Sequence, residues 1–258
     1  MEISLAAEKI AHLGSFPITN SMLTSWIGAA ILIVIAFLAT RKMKLIPTGL
    51  QNTFEFIIEA LYNTANSVLQ DEKATKKYFP LVATLFLFII ANNWLGLIPG
   101  VGTIGIHEEI HGKEVLVPLF RSGNADLNMT LALAVTTVLA IQLFGIAAIG
   151  IFKYGKKFFN FSNPILFIVG ILELIGEVSR IISFSFRLFG NVFAGEVLLT
   201  VIAFIVPYIA PLPFYGLEIF VGFIQALVFT MLTLVFIKSA ITDHDVHEEH
   251  ASEQATAH

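Results

Sequence analysis

The sequence predicts an all-α, polytopic membrane protein with about five membrane-crossing helices, two of them long and tilted. Of its 258 residues, 56% are hydrophobic and 13% are charged, whereas soluble domains carry about 25% charged residues. Apolar runs long enough to cross a hydrocarbon core of about 30 Å recur along the chain. The basic residues lie in clusters between these runs. Together these features indicate a protein whose main solvent is lipid.

Five apolar segments are predicted to cross the membrane: 22–40, 79–98, 127–152, 164–206 and 214–240. The first segment is interpreted as a retained span, because its basic cluster follows the apolar run, whereas a secretory signal has basic residues before it. We therefore predict a single membrane domain over 1–258. It comprises an N-terminal segment at 1–21, a helical membrane core at 22–240 and a disordered tail at 241–258.

The basic residues also predict the orientation of the chain, because lysine and arginine accumulate on the cytoplasmic side of membrane proteins. Ten of the fifteen basic residues fall on one side of the predicted spans: Arg41, Lys42, Lys44, Lys73, Lys76, Lys77, Lys153, Lys156, Lys157 and Lys238. We expect this side to be the cytoplasm. The N-terminus and its segment 1–21 then lie outside and the C-terminus inside, which five crossings satisfy.

The fourth apolar segment is predicted to be one long helix rather than two spans. Residues 164–206 would make about 64 Å of helix, twice the hydrocarbon thickness. Two spans would need a turn, yet residues 180–188 contain no proline or glycine. Asn163 and Pro164 mark a helix start, and Pro207 marks its end. We expect this helix to be steeply tilted, with the segment at 214–240 returning as its partner.

Two further regions allow more than one interpretation. Residues 49–69 show helical periodicity, which fits a helix on the inner membrane surface; contact with other helices would explain the pattern nearly as well. Histidine and acidic residues occur together at 107–111 and 244–250. The cluster at 107–111 could bind a metal, but a polar loop in solvent is the simpler interpretation. The cluster at 244–250 is interpreted as part of a disordered tail in solvent. The sequence predicts no metal site, no other cofactor and no thiol chemistry, since the chain lacks cysteine.

The long helix carries polar residues at positions where charge is expensive. An ionisable side chain inside a span costs at least about 2.5–3.5 kcal/mol, so such residues are functional candidates. The helix contains five charged residues and one asparagine. At 100° per residue, five of these six residues share a stripe roughly 80° wide, and the sixth, Glu196, faces elsewhere. The five are Glu173, Glu177, Arg180, Arg187 and Asn191. Because this stripe cannot face lipid, we expect it to face protein or water.

Arg187 differs from the other charged residues of this stripe. Glu177 and Arg180 are three residues apart and can form an ion pair within the helix. Arg187 has no acidic residue three or four positions away, so its charge must be answered from outside its own helix. Beside it runs a flank of small residues at helical spacing, which lets another helix approach closely; they are Gly176, Ser183, Gly190 and Ala194.

These residues resemble subunit a of the F-type ATP synthase membrane sector. The similar motifs are RLFGN at 187–191, AGE at 194–196 and QAL at 225–227, supported by NWLGLIP at 93–99 and ADLNMT at 125–130. The resemblance covers roughly residues 20–240, and the 187–191 motif is its most specific part. It implies a stator subunit that offers two offset proton half-channels to a rotor ring, with no catalysis of its own.

The resemblance also implies roles for individual residues. It assigns the essential stator charge to Arg187, the outer half-channel to Glu196 and the inner half-channel to Glu173, with Glu177 nearby. Asn191 and Gln225 match polar positions near the arginine, whereas Glu218 stands where relatives vary among His, Glu and Gly. The implied partners are the rotor c-ring, peripheral-stalk b subunits, the whole synthase and the bilayer of a bacterial inner membrane, with no nucleic acid.

Three other classes of protein fit the sequence less well than the stator interpretation. A self-contained secondary ion transporter usually shows internal repeats and broken helices, and neither is evident here. An intramembrane hydrolase would need a nucleophile and a base, yet the predicted spans contain no histidine. A purely structural scaffold leaves the charge of Arg187 unexplained. The coupling ion, the ring size and any pairing of Glu196 with Glu218 stay open.

Overall fold

A computed structural model of the chain describes residues 7–13, 16–41, 43–44, 46–47, 49–98, 104–110, 113–158, 164–207 and 209–242. The described elements are mostly helical. The helices are α1 (Asn20–Thr40), α2 (Leu50–Leu69), α3 (Glu72–Leu95), α4 (Leu127–Ile149), α5 (Ile151–Phe158), α6 (Pro164–Ile205) and α7 (Pro211–Ile241). The strands are β1 (Lys9–Leu13), β2 (Phe16–Thr19), β3 (Gly105–Ile110) and β4 (Lys113–Pro118), and a short 3-10 turn spans Gly123–Ala125.

The predicted membrane fold is confirmed. Within the described part of the chain, five helices are long and apolar enough to cross a membrane: α1, α3, α4, α6 from Phe167 onward, and α7. Their outer surfaces carry large apolar side chains, such as Phe37 on α1 and Ile168 on α6, which are exposed in the isolated chain. Such surfaces suit a lipid environment because apolar side chains meet no penalty there.

Local sequence sets the ends of several helices. Thr19, Asp71 and Asp126 are the N-caps of α1, α3 and α4, and each side chain accepts a hydrogen bond from a backbone N–H of the first turn. These bonds satisfy amide groups that have no partner within the helix. The helix α6 begins at Pro164, as predicted. Asn163, its predicted N-cap, lies outside the described residues.

The helix α6 is continuous over 42 residues, as predicted, and packs against α4 and α7. Phe184 and Leu188 are buried in the central apolar cluster, next to Ala226 and Phe229 of α7. The rings of Phe184 and Phe229 are stacked with centroids 4.6 Å apart. This contact fixes α6 in rotation, so that the residues one turn away on its polar stripe point to one side of the molecule. The tilt of α6 in a membrane stays a prediction.

The helix predicted at 49–69 is present as α2 and packs on α3 and α7. Its buried residues Leu61, Ala65 and Leu69 join the apolar clusters of the helical core. At its C-terminus, the Lys238 ammonium group on α7 donates a hydrogen bond of 2.8 Å to the carbonyl oxygen of Val68. Contact between helices therefore accounts for the pattern of α2, and its position at the membrane surface stays a prediction.

Two antiparallel hairpins, β1–β2 and β3–β4, were not predicted from the sequence. The sequence predicted an N-terminal segment at 1–21 and a polar loop between the second and third spans, with no strand in either. Each hairpin strand has only four to six residues, and its pairing depends on the opposite strand rather than on its own sequence. The tail predicted at 241–258 falls mostly outside the described residues, and α7 extends through Ile241.

Candidate functional site

Arg187 lies on the exposed surface of α6 and has no acidic partner. Its Nη2 atom donates a hydrogen bond of 3.1 Å to the hydroxyl of Ser183. Within the described part of the chain, no carboxylate lies within ion-pair distance of its guanidinium. A bare guanidinium facing hydrocarbon is strongly disfavoured. Its charge therefore has to be balanced from outside the described residues.

The surface beside Arg187 is open, as the pattern of small residues predicted. A Cβ atom added at Gly176 or Gly190 would meet no atom within 4 Å. Ser183 and Ala194, on the same flank, are exposed. This strip of backbone leaves room for another helix to approach α6 closely.

A polar cluster lies toward the predicted inner end of α6. The predicted pair of Glu177 and Arg180 is confirmed: the carboxylate oxygens accept hydrogen bonds of 2.7 and 2.9 Å from Arg180 Nη1. The Glu177 side chain is buried, and the Arg180 guanidinium lies 3.8 Å from the ring centre of Phe236. Glu173 is half-buried one turn earlier. The cluster places two acidic groups and one basic group within about two turns of α6.

The sequence analysis missed Tyr154, which belongs to this inner cluster. Tyr154 lies on the short helix α5, is buried, and donates its hydroxyl hydrogen to the side-chain oxygen of Gln142. Burial, followed by the negative charges of Glu177 and Glu173, raises the pKa of Tyr154 to about 12. Its ring fits against Gly145 of α4, where a Cβ atom would overlap it. Tyr154 is distinguished from other tyrosines near the ends of spans by its contacts with Gln142 and Gly145, which the sequence pattern does not show.

A cavity of about 700 Å³ opens at the other end of α6. It is bordered by α3, the segment before α4, α6 and α7. The polar and charged residues of its wall include Asn93, Arg121, Asn191, Glu196, Tyr215 and Glu218. Glu196 and Glu218 therefore line the same cavity. Arg187 is not in the cavity wall, and neither is the inner cluster.

Arg121 is a second residue of the site that the sequence analysis missed. It lies in the segment between β4 and α4 and is 6% exposed. Its Nε atom is 3.2 Å from a carboxylate oxygen of Glu196. Arg121 and Glu196 are 75 residues apart in the chain, so no local sequence pattern links them. A basic residue shortly before an apolar span was the only available signal.

Gln225 is buried on α7, and its side-chain Nε2 has no hydrogen-bond partner within the described part of the chain. One turn earlier, Gly222 contacts Asn93, whose amide donates a hydrogen bond of 2.9 Å to the Gly222 carbonyl oxygen. The structure thus brings Asn191, Glu196 and Glu218 together at the cavity and Glu173 and Glu177 at the inner cluster. Arg187 and Gln225 belong to neither group.

The described residues do not converge on a metal. Among them, no three His, Cys, Asp or Glu side chains approach one another as they would around a metal ion. The segment 244–250 and His111, which belong to the two histidine-containing clusters of the sequence, lie outside the described residues. The arrangement of the site is one of separated ionisable groups, which suits movement of charge rather than bond chemistry.

Comparison with known proteins assigns the chain to a family. A sequence profile described as ATP synthase A chain matches residues 22–238. The chain belongs to the ATP synthase A chain family. It is 35% identical over 236 residues to "ATP synthase subunit a" of Moorella thermoacetica, a match covering 92% of this chain and 97% of that relative.

Other members of the ATP synthase A chain family match over similar lengths. The "ATP synthase subunit a" of Campylobacter jejuni serotype O:23/36 is 37% identical over 222 residues, covering 85% of this chain and 88% of the relative. The protein of the same description from Gloeobacter violaceus is 35% identical over 228 residues, covering 88% and 86%. The resemblance stated from the sequence motifs is confirmed, and so is the polytopic membrane class.

Replacing Tyr154 with phenylalanine should destabilise the purified chain by about 1 kcal/mol at neutral pH, because the hydrogen bond to Gln142 is lost. Above pH 10 the unfolded phenol ionises, whereas the folded one stays protonated to about pH 12. Wild-type stability should therefore fall between pH 10 and 12, and the gap to the variant should narrow. Thermal unfolding in detergent at pH 7 and between pH 9 and 12 measures both effects.

Tyr62→Phe is the matched control for this prediction, because the Tyr62 hydroxyl is buried without a hydrogen-bond partner in the described part of the chain. It should lose little stability at pH 7. Equal stability of Tyr154→Phe and wild type at pH 7, or parallel loss of both above pH 10, would contradict the assigned environment of Tyr154.

Proposed function

We propose that this chain is the stator ion-channel subunit of a rotary ATP synthase. It offers two offset proton half-channels to a rotor ring, and Arg187 separates them and drives deprotonation of the rotor carboxyl. The observation that carries the proposal is the position of Arg187. It is exposed, has no carboxylate partner among the described residues, and lies beside an open strip of small residues between an inner acidic cluster and an outer cavity.

The partner that Arg187 requires is a carboxylate on a helix small enough to pass along the strip. A neutral carboxyl can face lipid at low cost, but an ionised one cannot. An opposite charge within about 4–6 Å lowers the pKa of a carboxyl by about 1–3 units. A rotor carboxyl that reaches Arg187 therefore loses its proton. The fixed positive charge also repels a proton that would otherwise pass directly between the half-channels.

The two polar regions supply the ends of the proton path. On the outer side, the cavity with Glu196, Glu218 and Asn191 is the proposed entry half-channel. On the inner side, Glu173 and Glu177 line the proposed exit. Gln225 lies between them on α7, with a buried donor that has no described partner and can serve a group arriving on the rotor. A proton crosses only when it is bound to a rotor carboxyl and the ring rotates from one half-channel to the other.

The membrane voltage acts on this path directly, since each charge moved through it gains about 2.3 kcal/mol per 100 mV. The chain contains no P-loop or other glycine-rich phosphate loop. In the proposal it is therefore non-catalytic, and ATP chemistry belongs to other subunits of the complex. Its partners are the rotor c-ring, the peripheral-stalk b subunits and the lipid bilayer, with no nucleic acid.

The proposed location is the bacterial inner membrane, with the N-terminus outside and the C-terminus in the cytoplasm. The distribution of basic residues supports this orientation, and bacterial relatives support the location. The alternative function is a self-contained secondary ion transporter. The continuous helix α6 disfavours the transporter alternative, because the substrate sites of transporters are usually formed by discontinuous helices.

Arg187→Ala should reduce ATP-driven proton pumping in membranes at least tenfold, because a rotor carboxyl would no longer be ionised at the interface. Passive proton leak through the assembled complex should stay equal or rise. Pumping is followed with a pH-sensitive dye in inverted vesicles, and immunoblots of this chain and of the rotor subunit establish assembly. Lys9→Gln, a charge removal at an exposed outer position, is the control.

Normal pumping by an assembled Arg187→Ala complex would refute the stator role. The transporter alternative is tested by reconstituting the wild-type chain alone in liposomes. A stator subunit without its ring should not conduct protons, whereas a transporter should.

The orientation can be measured by cysteine labelling, because the chain has no cysteine of its own. A membrane-impermeant maleimide added to spheroplasts should label Lys9→Cys, on β1, at a rate at least tenfold above Thr242→Cys, just after α7. Inverted vesicles should reverse the order. Both positions are exposed, so equal labelling, or the opposite order, would contradict the proposed orientation.

A further inference from the structure

The outer cavity contains two carboxyl groups in different electrostatic settings. Glu196 lies 3.2 Å from the Nε atom of Arg121. The Glu218 carboxyl packs over the backbone of Gly195, where an added Cβ atom would overlap it. Within the described part of the chain, Glu218 has no hydrogen bond or ion pair. The two carboxyls therefore share a cavity but not a counter-ion.

Arg121 is held in place by three other parts of the chain. Its backbone N–H donates a hydrogen bond of 3.2 Å to the hydroxyl of Thr24 on α1. The next residue, Ser122, donates a hydrogen bond of 3.0 Å to the carbonyl oxygen of Asn92 on α3. The guanidinium lies 5.9 Å from the ring centre of Phe193 on α6. With only 6% of its surface exposed, Arg121 cannot turn away into solvent.

A buried guanidinium needs negative charge close by. If Glu196 became neutral, Arg121 would lose its ion pair with Glu196. Glu218 has no counter-ion among the described residues, and it lines the same cavity, whose wall also contains Asn191 on α6 and Tyr215 on α7. Removing one partner of a buried ion pair is more disruptive than replacing both by neutral groups.

We propose that Arg121 is a positioning residue that makes the two outer carboxyls unequal. It holds Glu196 as a fixed negative charge and leaves Glu218 as the carboxyl that carries the proton. This inference rests on the proposed function. A proton from outside binds the Glu218 carboxylate to give the neutral acid, then passes to the ionised rotor carboxylate and leaves Glu218 ionised again. Glu196 attracts protons into the cavity and keeps its charge throughout.

The test is a set of charge-neutral variants assayed for ATP-driven proton pumping in membranes that contain the whole complex. The variants are Glu196→Gln, Arg121→Gln, the double variant Arg121→Gln/Glu196→Gln, Glu218→Gln and Arg121→Gln/Glu218→Gln. Pumping is normalised to the amount of this chain in the membranes. Arg121→Lys keeps the charge, and Lys9→Gln removes an exposed outer charge as a control.

We expect Arg121→Gln and Glu196→Gln each to lose about threefold to tenfold in pumping, while Arg121→Lys stays near wild type. The double variant Arg121→Gln/Glu196→Gln should recover to within about threefold of wild type, because it removes both charges together. Glu218→Gln should lose at least tenfold, and Arg121→Gln should not rescue it. If Arg121 had a purely structural role, Arg121→Gln would not rescue Glu196→Gln selectively over Glu218→Gln.

The inference is overturned if Arg121→Gln/Glu196→Gln pumps no better than the worse single variant, or if Glu218→Gln pumps as well as Glu196→Gln. If variants of Arg121 fail to accumulate in membranes, this last comparison decides alone. Arg187→Ala in the same membranes distinguishes a failure of the proposed function from a failure of the role proposed for Arg121. Normal pumping there means that the proposed function has failed, whereas loss of pumping there with no rescue by the double variant means that only the role of Arg121 has failed.

Discussion

The structure depends on one electrostatic constraint: Arg187 holds a positive charge on the surface of a membrane helix without a carboxylate of its own chain, among the described residues, to balance it. A stable protein would not leave such a charge facing hydrocarbon. The flank that Arg187 shares with Gly176 and Gly190 has no side chain covering it. The charge and the open backbone together support the proposal that a second protein brings a carboxylate to this surface.

The single long helix α6 arranges the polar groups in order along one axis. Because α6 has no break over 42 residues, it places an acidic cluster at one end, a polar cavity at the other and Arg187 between them. The stacked rings of Phe184 and Phe229 fix its rotation against α7. Two separate spans could have carried the same α6 residues, but they would not have held them on one rigid element.

Much of this arrangement could be predicted from the sequence, because it depends on local patterns. Apolar runs gave the spans, and the 100° periodicity gave the stripe with Glu177, Arg180 and Arg187. The residues that were missed, Tyr154 and Arg121, owe their importance to partners far along the chain: Gln142 and the inner acids for Tyr154, and Glu196 for Arg121. The hairpins were missed for the same reason, since strand pairing is a contact between segments rather than a property of either one.

Cross-linking tests the central claim most directly, because the chain lacks cysteine. Gly190→Cys would be oxidised in membranes against a rotor subunit with a cysteine one turn from its carboxyl. The control would be Ile182→Cys, which is exposed and lies about 140° around α6 from Arg187 and about 80° from Gly190. The account predicts a disulfide-linked heterodimer from position 190 and at least tenfold less from position 182. Equal yields, or a cross-link from 182 alone, would contradict the claim that the Arg187 surface faces the rotor.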